Sequence, residues 1–320
     1  MGKDLNEILE DIRLLRIHGA TSIAKTVIDA LLESKDEIAQ RSKDKDEFIA
    51  NIKDIAQKLT IIRPTETMAQ NAVGFVVFEL QDLAVNSIED CKAVLEKRAN
   101  EVKMIINENE NKFIQNGIKL IKSSEKKFRQ THILTHCHSS GVRNVLKMAN
   151  DEGAKIRVFN TETRPVFQGR ITAQKMIDSG IDVTMIIDSA APFVVSGKSG
   201  REFDIDMVLF GSDAITINGA AINKIGSYGI SLSAHHENIP LYIVTSLLKA
   251  KRGVYNILDI PLEMRPCQEV WPEAPKELKI LNFAFDIVPP EFITGFITEF
   301  GILKPAEIKD VLEKNYPSLL

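Results

Sequence analysis

Long apolar runs are absent from this 320-residue chain. The most apolar stretch, residues 72–85, is broken by Glu79, Gln81 and Asp82, too soon for the roughly 20 residues of a spanning helix. Cysteine is scarce: Cys91, Cys137 and Cys267 stand far apart with no CxxC pair. That argues against a disulfide framework and for a reducing, cytoplasmic setting. A basic surplus is also missing. With 40 basic against 44 acidic residues the net charge is -4, which disfavours nucleic-acid binding by general electrostatics. The opening residues alternate charged and apolar positions and contain no signal-peptide core. No GxGxxG follows the first candidate strand, so a dinucleotide cofactor has no support. Gly197-Lys198-Ser199 resembles the end of a phosphate-binding loop, but the first glycine of that pattern would fall at Pro192.

What is present divides the chain in two. Leu5, Ile8, Leu9, Ile12 and Leu15 recur at helical spacing, as do Ile23, Val27 and Leu31, and 89–122 reads as one or two long helices with a solvated face. Residues 122–129 lose that periodicity, which sets expected domains at 1–125 and 126–320. Beyond this boundary short Ile/Val-rich runs alternate with helical stretches: 131–137, 155–162, 182–189, 206–213 and 241–246. The pattern predicts βαβ units and therefore an α/β fold, a helical N-terminal domain followed by a Rossmann-like, mostly parallel sheet. Asn218-Gly219 between two alternating runs signals an antiparallel hairpin within that sheet.

Ligands of such sheets bind beyond the carboxyl ends of the strands. The strand ends here are 137–140, 162–165, 188–189 and 211–213. His136 and His138 would face one side of a continuing strand and Cys137 the other, and no further cluster completes a metal site. Cys137 precedes Ser139-Ser140-Gly141, where a helix would open, so its thiol pKa is expected to be depressed by the helix dipole. The alternative is a small core residue. Asp213 closes an apolar strand, where partial desolvation suits a carboxyl group to donate protons; the alternative is a turn-stabilising aspartate. Arg164, Arg170, Lys224 and Lys249 follow other strands or turns and offer positive charge to an anionic substrate.

These residues sit in a set of ordered motifs: Arg63-Pro64-Thr65 with Asn71-Ala72-Val73, Thr135 to Ser140, Thr161 to Pro165, Gln168-Gly169, Gly211 to Asp213, Asn218-Gly219, Asn223 to Gly226, Phe285-Asp286 and Pro289-Pro290. The set resembles the sugar-phosphate isomerases related to the regulatory subunits of translation initiation factor 2B, and most of all their archaeal ribose 1,5-bisphosphate isomerase branch. The resemblance covers nearly the whole chain. It implies an aldose–ketose isomerase that makes ribulose 1,5-bisphosphate in nucleotide (AMP) salvage, with Cys137 and Asp213 as acid–base residues. It also implies substrate contacts from Gly19, Ala20, Arg63, Ser139, Arg164, Arg170, Asn223 and Lys224. Lys249 is expected to keep a phosphate-binding role although the segment 245–252 departs from the family pattern, as does His18, where an arginine is usual. No cofactor or metal is implied. The expected partners are a sugar bisphosphate, a nucleotide activator and further copies of the chain, as homodimer or homohexamer. The same resemblance leaves open a methylthioribose 1-phosphate isomerase or a non-catalytic regulatory subunit. The phenylalanine-rich segment 282–300 marks the expected surface of association.

Overall fold

A computed structural model describes residues 5–14, 16–17, 19–61, 65–82, 86–254 and 263–319. The chain divides into two compact units, Met1–Glu108 and Asn109–Leu320. Among the described residues no helix is long and apolar enough to cross a membrane.

The first unit is helical. Its elements are α1 (Leu5–Arg13), α2 (Ala20–Arg41), α3 (Lys45–Ile61), α4 (Thr67–Val77) and α5 (Ile88–Ser123), and the division between units falls within α5. α2 packs against α3 and α4. Ile23, Val27 and Leu31, one stripe at i, i+4 and i+8, are buried with Phe48, Ile52, Val73 and Val76. Leu15, His18 and Arg63 lie outside the described residues.

The second unit carries two sheets. The larger has seven strands in the order β10-β9-β7-β4-β1-β2-β3. They are β1 (Thr131–Thr135), β2 (Ile156–Thr161), β3 (Asp182–Ile186), β4 (Met207–Phe210), β7 (Leu241–Val244), β9 (Gly295–Thr298) and β10 (Gly301–Leu303). All neighbouring pairs are parallel except β9–β10. Helices α6 (Ser140–Asp151), α7 (Gln168–Asp178), α8 (Ala191–Val195) and α9 (Ser227–His236) connect the parallel strands, and α10 (Ile308–Asn315) follows β10. Every residue of β1 and β4 is buried, as expected of a parallel sheet covered on both faces. Ile133, Ile156, Val158, Met207 and Leu209 face one core with Val142, Val145 and Leu146 of α6. Leu134, Phe159 and Phe210 are buried beside them. Truncating Phe210 to alanine would cost about 3–5 kcal/mol.

Two expectations change. The Asn-Gly hairpin forms, but outside the large sheet: β5 (Ala214–Ile215) and β6 (Ala221–Lys224) pair antiparallel and join β8 (Phe285–Val288) in a sheet of their own. The phenylalanine-rich segment is also less of a surface than its composition suggests. Phe285 and Phe296 are fully buried in their own chain, leaving Phe283 and Phe300 exposed.

Strands β2 and β3 lie on one side of β1, and β4, β7, β9 and β10 on the other. The winding reverses between β1 and β4, so the loops after those two strands open the crevice where such sheets bind ligands.

Candidate active site

β1 stops at Thr135, two residues before the cysteine. Cys137 is not on a strand, so the expected alternation, with His136 and His138 on one face and Cys137 on the other, does not arise. It adopts a left-handed backbone with φ 69°, a conformation that costs an L-residue roughly 1–2 kcal/mol. Both of its backbone polar groups are tied by threonine side chains. Its N–H donates to Thr163 Oγ1 at 3.0 Å, and Thr172 Oγ1 donates to its carbonyl at 2.8 Å.

Each tie ends on a histidine, and the partners assign both tautomers. His136 Nε2 lies 2.8 Å from the carbonyl of Ile225, which can only accept, so Nε2 carries the proton. Its Nδ1 then accepts from Thr161 Oγ1 at 2.5 Å, and Thr161 accepts from Thr163 at 3.3 Å. The chain runs in one direction, from Cys137 N–H through two hydroxyls and an imidazole to Ile225. On the other side Thr172 spends its proton on Cys137, so His138 Nδ1 donates to it at 3.0 Å. Of the two flanking histidines, His136 donates through Nε2 and His138 through Nδ1.

The thiol donates to Gln168 Oε1 at 3.4 Å. Part of Cys137 remains open to solvent, yet desolvation by the surrounding atoms pushes its thiol up to about 11, the reverse of the expected depression. Lys224 draws the thiol pKa down and the Asp213 and Asp188 carboxylates raise it. Burial outweighs the lysine and the His138 backbone N–H together.

Asp188, just beyond β3, accepts the N–H groups of Thr163 and Arg164, both at 2.7 Å, and so fixes the β2–α7 loop that reaches back to Cys137. Thr163 is itself left-handed, with φ 61°. In the same loop Phe167 has the Arg164 guanidinium 5.4 Å and the Arg170 guanidinium 3.7 Å from its ring centre. Both arginines are exposed; Arg170 lies 3.6 Å from Glu162, and Arg164 donates to the carbonyl of Val270.

After β4, Asp213 is half-buried and its N–H donates to Ile222 of β6. Lys249 Nζ donates to the carbonyl of Ser212 at 2.6 Å, so this amine braces the Asp213 loop. Ser139 caps α6, accepting the Val142 N–H at 3.4 Å. Asn223 donates to Ser227 at the start of α9. Lys224 is 8% exposed, its Nζ lies 4.5 Å from the Phe285 ring centre, and among the described residues it makes no ion pair. A buried cation without an anion is costly, and an arriving anion relieves it.

The second unit thus brings Cys137, Asp213 and Lys224 within one electrostatic neighbourhood; Ser139 and Arg164 follow β1 and β2, Arg170 lies in the first turn of α7, Asn223 precedes Lys224 on β6, and Lys249 follows β7. Gly19 caps α2 in the first unit with φ 86°, and Ala20 opens that helix. Sequence reasoning included Thr163 and Gln168 in its motifs without seeing their supporting roles, and missed Thr172. Threonine carries no chemical flag, and Thr172 lies on α7, 35 residues from the carbonyl it holds.

The model of the "Initiation factor 2 subunit family" matches residues 16–305 of this chain. A ribose 1,5-bisphosphate isomerase of Pyrococcus furiosus is 33% identical, covering 98% of this chain and 94% of the relative. One from Methanocaldococcus jannaschii is 35% identical, covering 98% and 95%. Among solved structures, a 5-methylthioribose 1-phosphate isomerase from Pyrococcus horikoshii superposes with a TM-score of 0.76 at 25% identity, covering 98% of this chain and 88% of that one.

Proposed function

The chain belongs to the initiation factor 2 subunit family, and we propose that within it this member is a sugar-phosphate isomerase that converts ribose 1,5-bisphosphate to ribulose 1,5-bisphosphate. The observation that carries the reading is Lys224, a buried lysine with no ion pair among the described residues, acting on the Cys137 thiol beside the Asp213 carboxylate. An anionic substrate supplies the missing counter-charge, and a thiol and a carboxylate supply the two proton carriers that an aldose–ketose interchange needs.

The steps balance without an outside acid or base. The Cys137 thiol holds its proton at rest and passes it to Asp213, leaving a thiolate beside Lys224. Asp213 delivers that proton to the ring oxygen, and the C1–O bond of the ring breaks. The thiolate takes the proton from C2, forming an enol phosphate, and returns it to C1. Asp213 removes the proton of the C2 hydroxyl as the ketone forms, and hands it back to sulfur. The thiolate formed in the first step is the base that takes the carbon proton, and the Lys224 ammonium favours that charged form. Arg164 on the β2–α7 loop and Arg170 in the first turn of α7, both exposed, suit a phosphate group.

A place in nucleotide (AMP) salvage and assembly into a homodimer or homohexamer, with a nucleotide as activator, belong to the same reading. Exposed Met264, Trp271, Leu278, Leu281 and Phe283 in the segment before β8 support association.

Incubation with ribose 1,5-bisphosphate, with product detected by coupled carboxylation, tests the reaction. Faster turnover of methylthioribose 1-phosphate would move the substrate. No turnover of either would favour a regulatory subunit that binds without chemistry.

A further inference from the structure

The mechanism above uses neither histidine beside the cysteine, yet His136 joins the segments that carry the site. His136 is buried, and both ring nitrogens are spent on other segments. Through Nδ1 it reaches Thr161 and Thr163, and so the Cys137 backbone. Through Nε2–H it holds Ile225, the residue after Lys224. Its ring also meets Phe210 edge-on, with centroids 6.2 Å apart, at the end of the strand that leads to Asp213.

The turn it grips is shaped to receive it. Gly226 has φ +107°, and a Cβ there would lie 3.2 Å from ring atoms Cε1 and Nε2 of His136. From the other side Asp286 accepts the N–H groups of Gly226 and Tyr228 at 2.7 and 3.0 Å. The turn after Lys224 is therefore clamped between an imidazole and a carboxylate. Burial lowers the imidazole pKa, which keeps the ring in the neutral form that the two hydrogen bonds require.

We propose that His136 is a positioning residue: its neutral imidazole ties the Cys137 loop to the Lys224 turn, so that thiol and ammonium are set as one unit. The proposal rests on the isomerase reading for its purpose, but its test does not need a substrate. Lys224 lowers the thiol pKa only from its present place, so releasing the turn raises it.

The readout is alkylation of Cys137 by iodoacetamide across pH, followed by mass spectrometry of the peptide that contains it. His136→Leu is expected to slow alkylation about tenfold at fixed pH, because one unit of pKa is a tenfold change in thiolate. Lys224→Met should slow it similarly, and the double variant should add little. His136→Gln, which retains a donor for Ile225 and an acceptor for Thr161, should restore most of the rate. Thr161→Val breaks the same tie without touching the ring, and serves if His136→Leu fails to fold. In the wild-type protein, nitrogen NMR of labelled histidine should find His136 as the Nε2–H tautomer. Unchanged alkylation in folded His136→Leu or Thr161→Val, full additivity with Lys224→Met, or the Nδ1–H tautomer would overturn the proposal. An inactive wild-type protein that still shows these alkylation changes would overturn the isomerase reading and leave the positioning role standing.

Discussion

Ser139 fills the space that a side chain at position 211 would need: a Cβ on Gly211 would lie 2.4 Å from Ser139 Oγ and 2.6 Å from its Cβ. The loops after β1 and β4 touch here without a side chain between them, so the reversal of winding is also a point of close packing. Gly211→Ala forces Ser139 off its cap on α6. The expected cost is about 1–3 kcal/mol of overpacking, with a fall in turnover because the Cys137 and Asp213 loops are pushed apart. Urea denaturation and steady-state kinetics check both. An unaltered midpoint would mean that the two loops yield freely.

Cys137→Ser replaces the thiol by a hydroxyl far too weak an acid to shuttle a proton near neutrality. Turnover is expected to fall on the ~10²–10⁴-fold scale of losing a general base. Calorimetric binding of the sugar phosphate should change little, because Lys224 and the arginines remain. Asp213→Asn should behave alike. Normal turnover in either folded variant would refute the assigned chemistry.

Glu299 offers a pH test away from the site. It is buried, accepts from Asn109, Ser246 and the Leu247 N–H, and burial pushes its carboxyl up to about 7. An unfolded glutamate titrates near about 4.3. Between those values the folded chain holds a proton that the unfolded chain has released, so stability falls as pH rises through the window and the loss is complete above 7. The slope reaches at most about 1.4 kcal/mol per pH unit. Glu299→Gln cannot titrate, and its amide brings donors towards donors. The variant should be less stable than wild type at pH 4.5, with the gap narrowing by pH 7.5. Urea midpoints at the two pH values decide it, and a gap that widens would contradict the assignment.

Association is tested by light scattering. At micromolar concentration the wild-type chain should show at least a dimer mass. Leu281, 73% exposed, is the most open large aliphatic side chain among the described residues of the segment before β8, and Leu281→Asp together with Phe283→Asp should shift the mass towards monomer. A monomeric wild type would contradict the assembly.

The fold was largely legible because each strand is a short Ile/Val run followed by a helical period, and parallel strands buried on both faces leave that signature. The strand-end rule reached Cys137, Asp213 and Asp188 by the same route. Three things were not legible. The hairpin's sheet partner, β8, lies some 60 residues downstream, so local pattern could not say which sheet would receive it. The thiol's pKa depends on burial by side chains from other segments, whereas the sequence shows only the nearby helix start. The roles of Thr163 and Thr172 come from backbone geometry at Cys137, which no residue type announces.

The left-handed backbone of Cys137 has a consequence for how this sequence can drift. Holding a β-carbon there costs roughly 1–2 kcal/mol, and two threonines and two histidines are committed to holding it. Glycine at 137 would release that cost at once. In a lineage no longer selected for turnover, the first step away from chemistry is therefore downhill in folding energy, while the return requires the strain to be taken on again. Loss of the thiol would act as a ratchet, turning an enzyme into a binding protein with a firmer fold.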